Sequence, residues 1–144
     1  MSVAVIDYGV VVFQNGRQLY GDQLYPDVEF FGLKIVCYKS WVDISLGGKH
    51  VISLWQTYVR NRLDLESRKK SAHFEIEGGY AIHVKEICPS VYRLKCSREG
   101  QHLTIIYGYG IDPNWKVWKR VKVRYLGREG ARKVDNEFRR AGKK

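Results

Sequence analysis

Residues 91–110 read VYRLKCSREGQHLTIIYGYG, and this stretch decides the fold class. Two runs rich in β-branched and aromatic residues, Val91 to Ser97 and His102 to Gly110, flank the segment Arg98-Glu99-Gly100-Gln101. Such runs are typical of strands, and a short polar segment that contains Gly is typical of the turn between two antiparallel strands. The stretch therefore predicts a β-hairpin.

Turn signals on both sides of this hairpin repeat the pattern along most of the chain. Asn15-Gly16 supplies the two positive φ angles of a type I′ turn, so we expect Val3 to Phe13 to pair with a short strand from Arg17 to Tyr20. Gly47-Gly48 and Gly78-Gly79 are further turn signals. The remaining expected strands are Phe30 to Lys39, Trp41 to Ser45, His73 to Glu77, Ala81 to Glu86 and Trp115 to Leu126.

Two segments carry helical signals. Within residues 50–63 the apolar side chains fit helical spacing, but residues 51–55 also suit a strand that returns from Gly47-Gly48, and we favour the strand. By contrast, Arg128 to Arg140 predicts a short helix, which should end at Gly142.

Together these signals predict one domain, residues 1–144, with a mainly β fold and with α+β as the alternative. We expect an antiparallel meander sheet or a partly closed barrel of about seven to nine short strands. A basic C-terminal helix or tail over residues 127–144 completes the expected fold.

Composition narrows the class of protein. The chain is 44% hydrophobic and 13% aromatic, which is too apolar for a disordered chain, and no apolar run approaches the ~20 residues that cross a bilayer. The first residues lack the basic start of a signal peptide. The three widely spaced cysteines predict reduced, buried thiols in a cytoplasmic protein, without a metal site. No Walker loop, GxGxxG or nucleophile motif is present, so we expect no cofactor and, on balance, no enzyme.

Positive charge is concentrated near the C-terminus. Residues 1–111 hold 13 Lys/Arg against 11 Asp/Glu, whereas residues 112–144 hold 12 Lys/Arg against 4 Asp/Glu. The net charge of +10 therefore comes mostly from the last quarter of the chain. Such asymmetry indicates an acidic partner, most often nucleic acid.

The expected strand from Trp115 to Leu126 has two different faces. Because strand side chains alternate, one face carries apolar residues, while the other carries Lys116, Trp118, Arg120, Lys122 and Arg124. Cations beside aromatic rings, here with Tyr109 nearby, are the chemistry of single-stranded DNA or RNA binding. The plainer alternative is the solvated face of an edge strand, whose lysines discourage aggregation.

The basic tail extends this surface, since Arg128 and Arg132 follow the strand. As a charge run it is weakly specific, and it also suits a solubilising terminus. The short Tyr-rich strands and basic end resemble small proteins of phages and archaeal viruses, without indicating a family. Two alternative functions are an inhibitor that uses the same basic patch or an exposed aromatic edge to bind an acidic host protein, as viral inhibitors do, and a protein that sequesters small nucleotides. Nothing in the sequence indicates the oligomeric state.

A second cluster of polar residues flanks Gly78-Gly79. A three-residue loop over residues 78–80 would pair Glu75 with His83 and place both on one polar face. A Glu opposite a His could raise the pKa of the His, and such a pair could act as acid and base. Glu75 and His83 are therefore weak catalytic candidates, and the plainer alternative is a cross-strand ion pair on a wet face.

Overall fold

A computed structural model of the chain describes residues 8–19, 27–38, 41–55, 71–109, 111 and 122–142. These residues form two antiparallel β-sheets and one helix, which confirms the mainly β fold with a C-terminal helix. The strands are β1 (Tyr8–Gln14), β2 (Arg17–Leu19), β3 (Asp27–Phe30), β4 (Leu33–Cys37), β5 (Trp41–Leu46), β6 (Lys49–Trp55), β7 (Ser71–Ile76), β8 (Tyr80–Cys88), β9 (Val91–Arg98) and β10 (Gln101–Tyr109). The helix is α1 (Lys122–Ala141).

The larger sheet has six strands in the order β2-β1-β10-β9-β8-β7. Its β7 to β10 portion is a meander, and the β1–β2 hairpin adds alongside β10. The predicted hairpin turns form as two-residue turns: Asn15 and Gly16 have φ of 49° and 86°, and Glu99 and Gly100 have φ of 50° and 76°. Both pairs have the positive φ angles of a type I′ turn, which matches the twist of the flanking strands.

The smaller sheet has four strands in the order β3-β4-β5-β6. The strand favoured over residues 51–55 is confirmed as part of β6. The strand expected from Phe30 to Lys39 is confirmed over Leu33–Cys37 as β4, but a turn at Phe31-Gly32 makes Phe30 the last residue of a separate strand, β3. Phe31 has a φ of 52°, which a bulky residue adopts rarely, so its side chain gave no turn signal.

The sheets and the helix form three layers. One hydrophobic core lies between the two sheets and includes Phe30, Ile35, Leu94 and Ile105. A second core lies between the other face of the six-stranded sheet and α1; its buried side chains are Val11, Phe13, Ile87, Cys88, Val91, Ile106, Ile111, Val134 and Phe138. The strands thus divide into two sheets rather than one continuous meander or barrel, and the six-stranded sheet is the middle layer.

Helix α1 confirms the terminal helix, which ends before Gly142, but it begins at Lys122 and bends at Gly127, whose φ is 75°. The last strand expected from Trp115 to Leu126 is therefore wrong from Lys122 onward, and residues 115–121 lie outside the described residues. Alternating Lys and Val suited a strand, but Leu126 packs on the second core as part of α1. Packing against the sheet decides the structure here, since propensity is a weak guide.

The β7–β8 pairing corrects a second expectation. The three-residue turn is Glu77 to Gly79, and it pairs Glu75 with Ala81 and His73 with His83. The expected pairing of Glu75 with His83 is therefore wrong by two residues. A shift by two keeps every side chain on its face, so the apolar and polar faces of the hairpin are as predicted.

All three cysteines, Cys37, Cys88 and Cys96, are buried and unpaired, as expected. Burial raises the pKa of the Cys37 and Cys96 thiols to about 12 and that of Cys88 to about 11. These thiols are thus poor nucleophiles at neutral pH. Within the described residues, no helix is long and apolar enough to span a membrane.

Candidate functional site

The face of the six-stranded sheet that α1 partly covers, here called the outer face, carries a row of polar side chains. Strand register places His73 opposite His83, His83 opposite Lys95, and Lys95 opposite Thr104. Directly opposite residues in neighbouring strands have adjacent side chains. The row therefore runs across four strands, from β7 to β10, and brings two histidines and a lysine together.

Helix α1 is anchored to this face by a buried carboxylate. The Glu137 side chain is only 4% exposed and lies 2.8 Å from Arg93 Nη1 and 3.3 Å from Lys85 Nζ. Arg140 Nη1 lies 3.8 Å from the same carboxylate. A buried charge is tolerated when it is paired in this way. Glu137 thus neutralises the positive charges of Arg93 and Lys85 beneath the helix.

His83 lies in a different environment from the one expected. Arg93 Nη2 lies 3.3 Å from His83 Nδ1, and an arginine can only donate, so this contact requires a neutral ring that accepts at Nδ1. Burial lowers the pKa of His83, and the positive charges of Arg93 and other nearby cations lower it further. The expectation that Glu75 raises this pKa is therefore wrong, since Glu75 faces Ala81 and the charged neighbours of His83 are cations.

A cavity of about 580 Å³, here called the hairpin pocket, lies where the β1–β2 turn, the β9–β10 turn and the C-terminal end of α1 meet. Its lining residues come from both hairpins and from the helix: Asn15, Gly16, Lys95, Gly100, Gln101, His102, Thr104, Arg140 and Ala141. These residues include two permanent cations, a histidine and no carboxylate. The pocket therefore has the charge of an anion site.

Hydrogen bonds between the two turns shape one wall of this pocket. The Asn15 amide oxygen accepts from the backbone N–H of His102 at 2.9 Å, and the Asn15 backbone N–H donates to the His102 carbonyl at 3.0 Å. The Asn15 side chain also donates to Gln101. His102 Nδ1 lies 3.1 Å from the Ser97 hydroxyl, which orients the ring. The wall is thus held in place by the protein itself.

The solvent face of α1 carries a stripe of arginines. Arg128, Arg132 and Arg139 are exposed, and their spacing of four and then seven residues places them on one side of a helix. The opposite side, with Val134 and Phe138, is buried against the sheet. Lys133 pairs with Glu129 at 3.5 Å, beside the stripe. The exposed helix face is therefore mostly positive.

An exposed aromatic ring stands near the same end of the molecule. Phe31, at the β3–β4 turn, is 41% exposed, and the Arg98 guanidinium lies 4.9 Å from its ring centroid and 5.0 Å from that of Tyr80. The Tyr80 hydroxyl donates to the Phe31 carbonyl and fixes the turn. A second cavity, of about 440 Å³, is lined by Phe31 and by Gln101, which also lines the hairpin pocket. Gln101 is therefore common to the two cavities, and the second is also lined by Glu99.

The binding residues predicted from the sequence lie in different parts of the chain, some on α1 and some outside the described residues. Arg128 and Arg132 lie exposed on α1, while Lys122 and Arg124 lie on its first turns and not on a strand. Tyr109 ends β10. Lys116, Trp118 and Arg120 lie outside the described residues.

Sequence reasoning missed Phe31, Lys95, His102 and Arg140 as neighbours at one end of the molecule. The alternation of Arg93 and Lys95 with buried Leu94 and Cys96 was a usable signal for a charged face on β9. Nothing in the sequence placed that face beside the end of α1.

Comparisons with protein-family models, with curated proteins and with solved structures find no match for this chain.

Proposed function

We propose that this protein binds nucleic acid, single-stranded DNA or RNA, through the exposed face of α1 and the adjoining hairpin end of the six-stranded sheet. The observation that carries the proposal is the stripe of Arg128, Arg132 and Arg139 together with the hairpin pocket, whose described lining residues include two cations and no carboxylate. Phosphate contacts by exposed arginines supply most of the affinity of such proteins. These three arginines belong to the basic C-terminal region predicted from the sequence.

One feature suits contact with any nucleic-acid backbone, and a second favours a single strand over a duplex. Helix α1 lies with Val134 and Phe138 against the sheet, so its exposed face suits contact with a backbone that runs along it. Phe31, with Arg98 against its ring, offers an exposed aromatic surface on which an unpaired base can stack. Bases within a duplex are not available for such stacking.

The proposal keeps the other predicted contributors. Charge neutralisation would extend to the cations at and before the start of α1, and stacking would extend to aromatic side chains there: Tyr109, Lys116, Trp118, Arg120, Lys122 and Arg124. The proposed location is the cytoplasm, where thiols stay reduced, which agrees with the three unpaired cysteines.

The test is the binding of fluorescent single-stranded RNA, single-stranded DNA and duplex across a salt series. The variant R128E/R132E/R139E reverses the arginine stripe on α1. Its matched control, K34E/K49E/H50E/V51E, makes the same change of net charge at exposed residues of β4 and β6 in the other sheet. For a single strand, each cation that neutralises a phosphate adds about 0.7 to the steepness of log affinity against log salt, so we expect the slope of the stripe variant to be shallower by about two.

We expect the control variant to keep at least most of the wild-type slope, and both single strands to bind more tightly than the duplex. Equal losses of affinity in the two variants would show that net charge alone attracts the ligand and would overturn the proposal. An acidic protein is the competing partner for the same stripe. Nuclease-treated lysate distinguishes it, because a direct protein complex that requires Arg128, Arg132 and Arg139 survives nuclease.

A further inference from the structure

We propose that the hairpin pocket is a specific site for the phosphate monoester of a nucleotide, held mainly by Lys95 and Arg140. The inference rests on the proposed function for the class of ligand, and on the pocket itself for the chemistry. The sources of that phosphate are a free mononucleotide and the phosphorylated end of a bound strand.

The cations of the pocket are available to a ligand. Lys95 forms no ion pair with any described residue, although it is partly buried between His83 and Thr104 in the row on the outer face. Arg140 is 69% exposed, and its ion pair among the described residues is a 3.8 Å contact with Glu137, which is already paired with Arg93 and Lys85. A partly desolvated lysine without a carboxylate gains much from an anion.

Hydrogen-bond donors surround these cations. The Thr104 side chain, which is nearly buried, lines the pocket together with His102 and the amides of Asn15 and Gln101. Because Asn15 ties the two turns together, the donors do not have to be ordered when a ligand binds. Preorganised donors raise affinity by lowering the entropy lost on binding.

The end of α1 opposes an anion only weakly. A helix C-terminus carries about half a negative charge, which disfavours a phosphate nearby. Here the Phe138 carbonyl accepts from the Gly142 N–H at 3.0 Å, and Arg139 and Arg140 occupy the last turn. Two full positive charges therefore outweigh the partial negative charge of the helix end.

Size and charge favour a nucleotide phosphate monoester over an internal phosphodiester. A monoester carries about −1.5 to −2 at neutral pH, roughly one and a half to two times the charge of a diester, and so gains more from two adjacent cations. The pocket volume of about 580 Å³ lies in the range of small-ligand sites, so it accommodates a phosphate together with the attached sugar. The cavity beside Phe31 shares Gln101 with the pocket but is also lined by Glu99, so the pocket itself is the site of the phosphate.

The test uses inorganic phosphate, a 5′-mononucleotide, and one short single strand with 5′-phosphate, 3′-phosphate or hydroxyl ends. Titration calorimetry measures the free phosphates, and fluorescence anisotropy measures the strands. The variant K95Q/R140Q removes both cations, and R17Q/K34Q removes the same charge from β2 and β4. K95R/R140K keeps the charges and checks that a loss of affinity is electrostatic.

We expect a phosphorylated strand to bind the wild type about tenfold more tightly than the hydroxyl-ended strand, which is about 1.4 kcal/mol. K95Q/R140Q should abolish that preference, whereas R17Q/K34Q and K95R/R140K should keep it. Binding of the mononucleotide with no effect of a strand's end would identify the free nucleotide as the source.

The inference is overturned if the wild type neither prefers a phosphorylated end nor binds the mononucleotide, or if R17Q/K34Q loses the preference as fully as K95Q/R140Q. The proposed function fails by a separate measurement, the salt-dependent binding of the hydroxyl-ended strand. Loss of that binding with retained mononucleotide affinity would leave the pocket as a small-nucleotide site.

Discussion

The two faces of the six-stranded sheet are formed by the same strands but differ in the side chains that they carry. On β9, Leu94 and Cys96 are fully buried in the core between the sheets, whereas Arg93 and Lys95 lie on the outer face. The inner face gains stability from apolar burial. The outer face holds charges, and Glu137 of α1 neutralises those of Arg93 and Lys85 beneath the helix. The comparison indicates that the inner face stabilises the fold, while the outer face carries charged side chains through which we propose binding.

Truncation on the inner face should have the largest effect. Leu94→Ala removes a fully buried side chain from the core between the sheets, and we expect it to lower the free energy of unfolding by about 3 kcal/mol. Urea denaturation measures the change. Val51→Ala, at a 39% exposed position, is the control and should cost less than about 0.5 kcal/mol. Similar costs at the two sites would contradict the assignment of the core.

Removal of the buried charge on the outer face should have the next largest effect. Glu137→Gln leaves Arg93 without its carboxylate beneath α1, and we expect a loss of about 2 kcal/mol, reduced from a fully buried pair because Lys85 is partly solvated. Glu129→Gln, which breaks an exposed pair with Lys133, should cost less than about 0.5 kcal/mol. If the two substitutions cost the same, Glu137 does not anchor the helix.

The faces of β9 and two of the hairpin turns could be predicted from the sequence alone. The period of two along β9 assigns Leu94 and Lys95 to opposite faces, and Asn15-Gly16 and Glu99-Gly100 mark their turns because Gly accepts positive φ. The turn at Phe31 was missed because a bulky residue adopts that conformation.

Register and site depend on contacts that are distant in sequence. The sequence pattern determines which face of the sheet a residue occupies. It does not distinguish two strand registers that differ by two residues, so the sequence predicts His83 opposite Glu75, where the structure has Ala81. Similarly, the sequence predicts a basic C-terminal region. It does not predict that Arg140 lines the same pocket as Lys95 and His102, because that depends on how α1 packs on the sheet. The alternation of residues 122–126 is typical of a strand, but these residues begin α1, and Leu126 packs on the second core.

The inner face also holds a polar group whose removal should stabilise the protein. The Tyr107 hydroxyl is buried and has no hydrogen-bond partner among the described residues, and burial raises its pKa. Tyr107→Phe keeps the ring packed near Tyr92 and removes the unsatisfied hydroxyl, so we expect unfolding to require about 1 kcal/mol more. Urea midpoints measure the gain. A decrease in stability would show that the hydroxyl has a partner beyond the described residues.

The outer face should respond to pH through His83, with the smallest effect. Burial and the neighbouring cations lower the pKa of His83 in the folded protein, whereas the unfolded chain takes up a proton near pH 6.5. Between these two values the unfolded state binds more protons, so stability should fall as pH drops through about 6.5 and level off once the folded protein is also protonated.

His83→Gln should therefore lose less stability than the wild type between about pH 7 and pH 5, as measured by urea midpoints at each pH. His50→Gln, at an exposed position on β6 in the other sheet, should follow the wild-type curve. If His83→Gln also follows the wild-type curve, the cations of the outer face do not act on His83. A reduced dependence would show that this face disfavours added positive charge, as expected of a surface that binds anions.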